Sequence, residues 1–277
     1  MHVRPAAVAG TWYPESAHTL TEEIESYLAR ADLERQPEPS PEAELLALIA
    51  PHAGILYSGS VAAHAYRLLR SRPYDVVIIV GPSHYVGFSG ASIWPRGSFD
   101  TPLGPMRIDE ELASAMLARC PEIRDRPDAH RREHSVEMQL PFLGVIAPGV
   151  KIVPIVMGHQ TRETVFAVGD CIGHASAGRR ALLVASSDLS HFFNAATAAA
   201  LDREVAADVS ALDDEALMAR LEERRDHACG GGPIVAVMRA AKVRGATASR
   251  VLTYADSGDV SGDKNSVVGY LAAAIWR

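Results

Sequence analysis

Short unbroken apolar runs alternate along this chain with longer segments whose apolar residues recur at helical spacing. Residues 45–50 read Leu-Leu-Ala-Leu-Ile-Ala and stop at Pro51, and residues 75–80 end in Val-Val-Ile-Ile-Val before the turn Gly81-Pro82-Ser83. Unbroken runs of this length bounded by turn residues predict buried strands, as in a sheet covered on both faces. Further strands are expected at 91–94, 151–157, 181–186, 251–255 and 267–275, the alanines of the last permitting a helix as well. Pro154 interrupts the 151–157 run, which predicts an edge strand or a bulge. Helices are expected over 16–31, where Leu20, Ile24, Tyr27, Leu28 and Ala31 share a face behind a Ser16 cap, and over 60–70, 109–119, 161–175, 196–209 and 214–224. Another opens at Cys229-Gly230-Gly231-Gly232-Pro233 and runs to about 243, because glycines before a first-turn proline signal a helix start. Ser135 is placed to cap a helix lined by Val136, Leu140 and Leu143. Residues 34–44, rich in Pro and Glu, read as a surface loop, and 87–104 as a long loop at the edge of a site. Strand and helix alternate, so the fold expected is an α/β three-layer sandwich around a mostly parallel or mixed sheet, as one domain over residues 1–277.

Composition narrows the setting. Hydrophobic residues make up 48% of the 277, enough for a sizeable core, yet no apolar run reaches the roughly 18 residues of a membrane span. The net charge of −7 argues against a partner with a phosphate backbone. Cys120, Cys171 and Cys229 are odd in number and far apart, which is no disulfide framework and predicts a reducing, cytoplasmic setting. Met1-His2-Val3-Arg4-Pro5 lacks the apolar core of a secretory signal. Cys120 and Cys171 fall in helical stretches and read as core or surface thiols.

The chemistry lies after the strands. In an α/β sheet, the residues just past each strand arrive at the carboxyl edge, where such proteins bind ligands. His52 comes after one strand and His84 after another, and Cys229 precedes a helix, whose N-terminus favours the thiolate. Imidazole and thiolate are ligands for first-row metals, and three protein ligands leave a position open for catalysis. The same residues also read as hydrogen-bonded turn histidines and a buried cysteine. Asp188 and His191 share a turn after the 181–186 strand; they read as an acid–base pair, as support for a ligand, or as a capping Asp with a packed His. Glu133-His134 reads either as a catalytic histidine with its carboxylate or as a charged helix start. His227 lies two residues from Cys229 and is a further candidate. Gly230-Gly231-Gly232 lacks the Lys and spacing of a phosphate-binding loop, and Ser187 and Ser190 lack a nucleophile elbow.

Several motifs in order carry a resemblance: Arg4-Pro5-Ala6, Gly10-Thr11-Trp12-Tyr13-Pro14, Ala50-Pro51-His52-Ala53-Gly54, Tyr57-Ser58-Gly59, Gly81-Pro82-Ser83-His84, Glu133-His134-Ser135-Val136-Glu137 and Ser186-Ser187-Asp188-Leu189-Ser190-His191. From residue 4 to the last strand the chain resembles the MEMO family, in prokaryotes protein B of the AmmeMemoRadiSam system. That family is similar in fold to class III extradiol ring-cleaving dioxygenases, which hold iron(II) with two histidines and a carboxylate. The resemblance implies that His52, His84 and Cys229 bind one metal ion, with Asp188 and His191 beside them and His134 near the pocket. It also implies a functional link to a radical-SAM protein and an AMMECR-like protein. A thiolate in place of the carboxylate turns the preference toward softer ions, so zinc and copper compete with iron(II).

These residues support three readings. In the first, a metal-dependent oxidoreductase uses His191, steered by Asp188, as general base, with His134 holding a developing anion. In the second, a non-catalytic module binds a peptide or a small acidic or aromatic ligand in the same cleft. In the third, the protein handles metal or redox equivalents through Cys229.

Overall fold

The computed structural model describes residues 2–33, 43–70 and 72–277. Among them the core is a nine-stranded mixed sheet. Its four central strands lie in the order Leu45–Ala50, Ala181–Ser186, Val76–Pro82 and Lys151–Met157, and all run parallel. Every residue of the first three is buried, which is why they read as unbroken apolar runs. Outside Leu45–Ala50 the sheet turns antiparallel through Val267–Trp276, which also pairs with Ala248–Asp256 and His191–Phe193. At the other side Ala91–Ile93 pairs antiparallel with Lys151–Met157 and parallel with Ile123–Asp125. Helices flank the sheet. Ala17–Leu33, Ile55–Tyr66 and Leu140–Ile146 pack together, Arg162–Ala175 packs along Gly231–Val243, and Ala195–Ser210 lies against the Ala248–Asp256 strand. No helix among the described residues is long and apolar enough to cross a membrane.

Several expectations need correction. The second helix begins at Ile55, ahead of the residue 60 that the pattern suggested. Gly59 sits inside it because a Cβ there would meet the Tyr27 ring at 2.8 Å, so the glycine serves close helix packing and does not mark a loop. Pro154 lies inside the sheet and not at its edge. Its carbonyl accepts from the Trp94 N–H, so its nitrogen faces the frayed end of the three-residue Ala91–Ile93 strand and forgoes only one terminal bond there. Ser135 caps no helix; its hydroxyl donates to the Pro82 carbonyl, and the segment after it is a short 3₁₀ turn followed by Leu140–Ile146. The last run is a strand, Val267–Trp276. Most of the loop expected at 34–44, residues 34–42, lies outside the described residues.

Candidate metal centre

Because the four central strands are parallel, they deliver the residues past their ends to one edge. Ala50 leads to His52, Pro82 to His84 and Ser186 to Asp188, and the Ser186 strand lies between the other two. The two histidine turns therefore flank a third strand end, and that strand supplies the support.

His52 is 2% exposed, and its Nδ1 lies 3.0 Å from Ser186 Oγ. The network behind Ser186 fixes the tautomer. Gln139 Nε2 donates to the Pro51 carbonyl, and Tyr66 donates its hydroxyl to Gln139 Oε1, so the amide orientation is set. Gln139 Nε2 also donates to Ser186 Oγ, whose single proton goes to the Ser135 carbonyl at 2.5 Å. Ser186 is then left with only a lone pair for His52, so Nδ1 carries the imidazole proton and Nε2 a free pair. Burial, reinforced by the neighbouring His84, pushes His52 down to about 3, so it stays neutral.

His84 is held in the same way by a different group. Its Nδ1 lies 2.8 Å from Glu133 Oε1, and its backbone N–H donates to Oε2 at 2.6 Å. Glu133 also accepts from the N–H groups of His134 and Ser135. Burial works against this carboxylate, but the His84 hydrogen bond and charge and the backbone donors hold it down at about 2. An ionised acceptor makes Nδ1 the donor, so in the neutral ring the lone pair of His84 is on Nε2.

Cys229 completes the set. Its Sγ lies 3.2 Å from His52 Nε2. Ligand atoms of His52, His84 and Cys229 lie within 4.8 Å of one another, and His84 is exposed at the rim. Burial and the adjacent Asp188 raise the Cys229 thiol well above its ordinary value. The loop is pinned from three sides. Gln160 donates to the Cys229 carbonyl and accepts from the Gly232 N–H, Ser187 accepts from the Gly230 N–H, and the Asp188 carbonyl accepts from the Cys229 N–H. At Gly230 a Cβ would lie 2.5 Å from the Ser186 carbonyl, so only glycine lets the loop approach the strand end. A cavity of about 420 Å³ opens on the outer side of Cys229, lined by His159, Gln160, Arg162, Met218 and Leu221.

Asp188 is near the site but does not steer His191 through a hydrogen bond. Its Oδ1 accepts from the backbone N–H groups of His52 and Ala53, and burial raises its carboxyl. His191 Nδ1 lies 2.7 Å from the Leu189 carbonyl, which only accepts, so in the neutral ring Nδ1 carries the proton and Nε2 the lone pair. Phe192, with φ of 65°, sits at the register shift between His191 and Phe193, and bulges of this kind re-aim a side chain beside a site. His134 stacks on His84 at 4.4 Å and lies against the tilted ring of Trp12 at 4.2 Å, and its buried Nδ1 has no hydrogen-bond partner among the described residues. Burial, with His52 and His84 adding to it, pushes His134 down to about 4. His227 turns away, toward the Arg224 carbonyl and Glu204. The Glu133 carboxylate hydrogen-bonds His84 at 2.8 Å, and its Oε1 also lies 3.6 Å from His134 Nδ1, so the histidine it chiefly serves is His84. Sequence reasoning missed Ser186, Gln139 and Gln160; the end position of Ser186 on an apolar strand was the one signal available.

The donors fit a divalent ion of borderline softness: two imidazoles, each with Nδ1 held by a buried acceptor and Nε2 turned to the site, and one thiol whose proton an ion would displace. Metal bonds of ~2.0–2.3 Å span such a triangle.

A family model described as "Memo-like protein" matches residues 4–274. A MEMO1 family protein of Methanosarcina mazei is 38% identical over 99% of this chain and 100% of its own length. A MEMO1 family protein of Methanopyrus kandleri is 38% identical over 99% of both chains. Among solved structures, an uncharacterized protein from Escherichia coli K12 superposes with a TM-score of 0.59 at 14% identity, covering 83% of this chain and 99% of that one; the likeness concerns the fold.

Proposed function

The chain belongs to the Memo-like protein family, and on that premise we propose that it is a metal-dependent oxidoreductase related to extradiol dioxygenases, with His52, His84 and Cys229 as ligands. The three-layer, dioxygenase-like architecture belongs to the same proposal. One observation supports it above the others: both imidazoles have their Nδ1 committed to buried acceptors, so both offer Nε2 beside one sulfur. Purely structural turn histidines have no need of two separate tautomer locks.

A divalent ion held there, iron(II) first with zinc or copper as competitors, supplies Lewis acidity to a bound hydroxyl and, if redox-active, electron transfer with oxygen. The chain's own residues do the rest. His191, with Nδ1 donating to Leu189, accepts at Nε2 the proton of a substrate hydroxyl. His134, packed between Trp12 and His84, carries a single ring proton at neutral pH and offers it to a developing anion. Asp188 fixes the backbone at His52. The test is anaerobic iron(II) loading followed by oxygen uptake with a panel of catechols. Metal-dependent uptake supports the reading, and none with any catechol counts against it.

A second reading has one observation in its favour. Leu56, Tyr57, Tyr85 and Phe192 are exposed, by 60%, 39%, 48% and 79%, and each lies a few residues at most past His52, His84 or His191. An apolar rim around the cleft suits a module that binds a peptide or an aromatic ligand without turnover. Binding that persists in His52→Ala and Cys229→Ala would favour this alternative.

A further inference from the structure

We propose that Arg4 is a positioning residue of the metal centre: clamped to Glu137, it fixes the backbone of the segment whose Glu133 holds His84. The inference rests on His84 being a ligand, as proposed above. Arg4 is 1% exposed and Glu137 is fully buried. One guanidinium makes three contacts. Its Nε donates to the His130 carbonyl at 3.0 Å, its Nη2 to the Glu133 carbonyl and its Nη1 to the Glu137 carboxylate. These acceptors bracket Glu133-His134-Ser135, and only a rigid fork of donors reaches all three at once. Arg4 is itself fixed from behind. Val3–Arg4 pairs with Ser98–Phe99, and the guanidinium lies 4.9 Å from the centre of the Phe99 ring.

Glu137 makes the clamp. Its carboxylate accepts from Arg4, from the N–H groups of Ala7 and Val8, and from the Tyr13 hydroxyl at 2.7 Å. These donors satisfy a buried carboxylate that would be costly without them. The N-terminal segment is thereby wrapped around one side chain. Trp12 within it is set against His134, and the Trp12 carbonyl accepts from the Ile55 N–H. On the other side of the clamp, Glu133 accepts from Nδ1 and the backbone N–H of His84 and from the N–H groups of His134 and Ser135. Arg4 thus holds the main chain of Glu133, and Glu133 holds the ring of His84. A tie between two segments needs a single acceptor. Here the middle contact falls on the residue that orients a proposed ligand, whereas His52 has its own lock in Ser186.

Arg4→Lys in the whole protein is the test. Lysine keeps a charge opposite Glu137, but its ammonium is a point donor and loses the fork. The ¹⁵N shifts of the imidazoles are read without metal at about pH 8, above the ordinary histidine value. In the wild type His84 is expected in its Nδ1-protonated form. In Arg4→Lys it moves toward a mixture of tautomers, while His52 keeps its own. Cobalt(II) affinity falls about tenfold, the lower end of what losing the support of a ligating histidine does. A folded Arg4→Lys protein whose His84 tautomer is unchanged overturns the proposal. So does a shift at His52 as large as that at His84, which would mean general loosening.

Tyr13→Phe decides the matter if Arg4→Lys does not fold. It removes one hydroxyl from Glu137 and leaves the ion pair in place. Amide hydrogen exchange at His84, His134 and Ser135, the donors to Glu133, should quicken at least threefold. The amides of His52 and Ala53, which donate to Asp188, should keep their wild-type rates. Equal rates in wild type and variant at the first three amides, or equal quickening in both groups, overturns the proposal. A wild type that binds no cobalt overturns the metal reading alone, because imidazole shifts and amide exchange are read without metal and still report whether Arg4 positions His84.

Discussion

The sulfur of Cys229 lies 3.2 Å from Nε2 of His52, although the two residues are 177 positions apart in the chain. What makes this contact chemical and not merely steric is the far side of the ring. There Ser186, saturated by Gln139 and by the Ser135 carbonyl, can only accept from His52 Nδ1. The lone pair of Nε2 is thereby directed to the sulfur side.

Ser186→Ala should separate ligand geometry from ligand identity. It leaves all three proposed ligands in place but removes the acceptor for His52 Nδ1 and a partner of Gln139. Metal affinity should fall by about 10- to 100-fold, the usual effect of losing the group that orients a ligating histidine. Unfolding by urea should show a loss of about 1–3 kcal/mol from the buried groups left unpaired. Metal titration by calorimetry checks the first figure, and unchanged affinity would remove Ser186 from the account.

Glu133→Gln tests the second lock. The amide keeps the size of the side chain but meets backbone donors and His84 with an NH₂ group or an uncharged oxygen, where a carboxylate now accepts from all of them. Metal affinity should fall by about 10- to 100-fold. The His84 ring should also lose its fixed tautomer, which ¹⁵N chemical shifts of the imidazole report directly.

Gly230→Ala should act without touching any ligand. The new Cβ would press on the Ser186 carbonyl and on Ser187 Cβ at 2.7 Å, so the Cys229 loop must lift from the strand end. A stability loss of about 1–3 kcal/mol is expected from overpacking. Slower and weaker metal uptake should accompany it, together with faster alkylation of the Cys229 thiol.

The pH dependence of stability carries a signature from a buried histidine outside the centre. Burial, with the charge of Arg4 adding to it, pushes His130 down to about 3, while the unfolded chain titrates near 6.5. Between these values the unfolded state binds a proton that the folded state refuses. Stability is therefore full above about 6.5 and declines as pH falls toward 3. His130→Gln should remove one proton from that slope, about 1.4 kcal/mol per pH unit. Urea midpoints measured from roughly pH 4 to 7 give the comparison.

Much of the centre was legible because strand ends in a parallel sheet deliver residues to one edge, and apolar runs before His52 and His84 announce such ends. Lateral order was not legible. The 181–186 strand comes late in the chain yet inserts between the two earlier ones, and only then does Ser186 meet His52. Asp188 and His191 lie close in sequence and invited pairing, but backbone carbonyls and N–H groups claimed both side chains first. Glu133 and His134 are adjacent in sequence, yet the shorter side-chain bond of the carboxylate, 2.8 Å against 3.6 Å, is to a histidine 49 residues away. Pro154 misled because the rule for strand prolines concerns which neighbour its nitrogen faces, and sequence does not say which neighbour is short.

The most direct test of the centre is a cobalt(II) titration of the protein freed of metal, followed by absorption spectroscopy. The account predicts one tight equivalent with a thiolate-to-cobalt charge-transfer band, which disappears in Cys229→Ser while the protein stays folded. Cobalt bound without that band in the wild type, or a band that survives in Cys229→Ser, would contradict it.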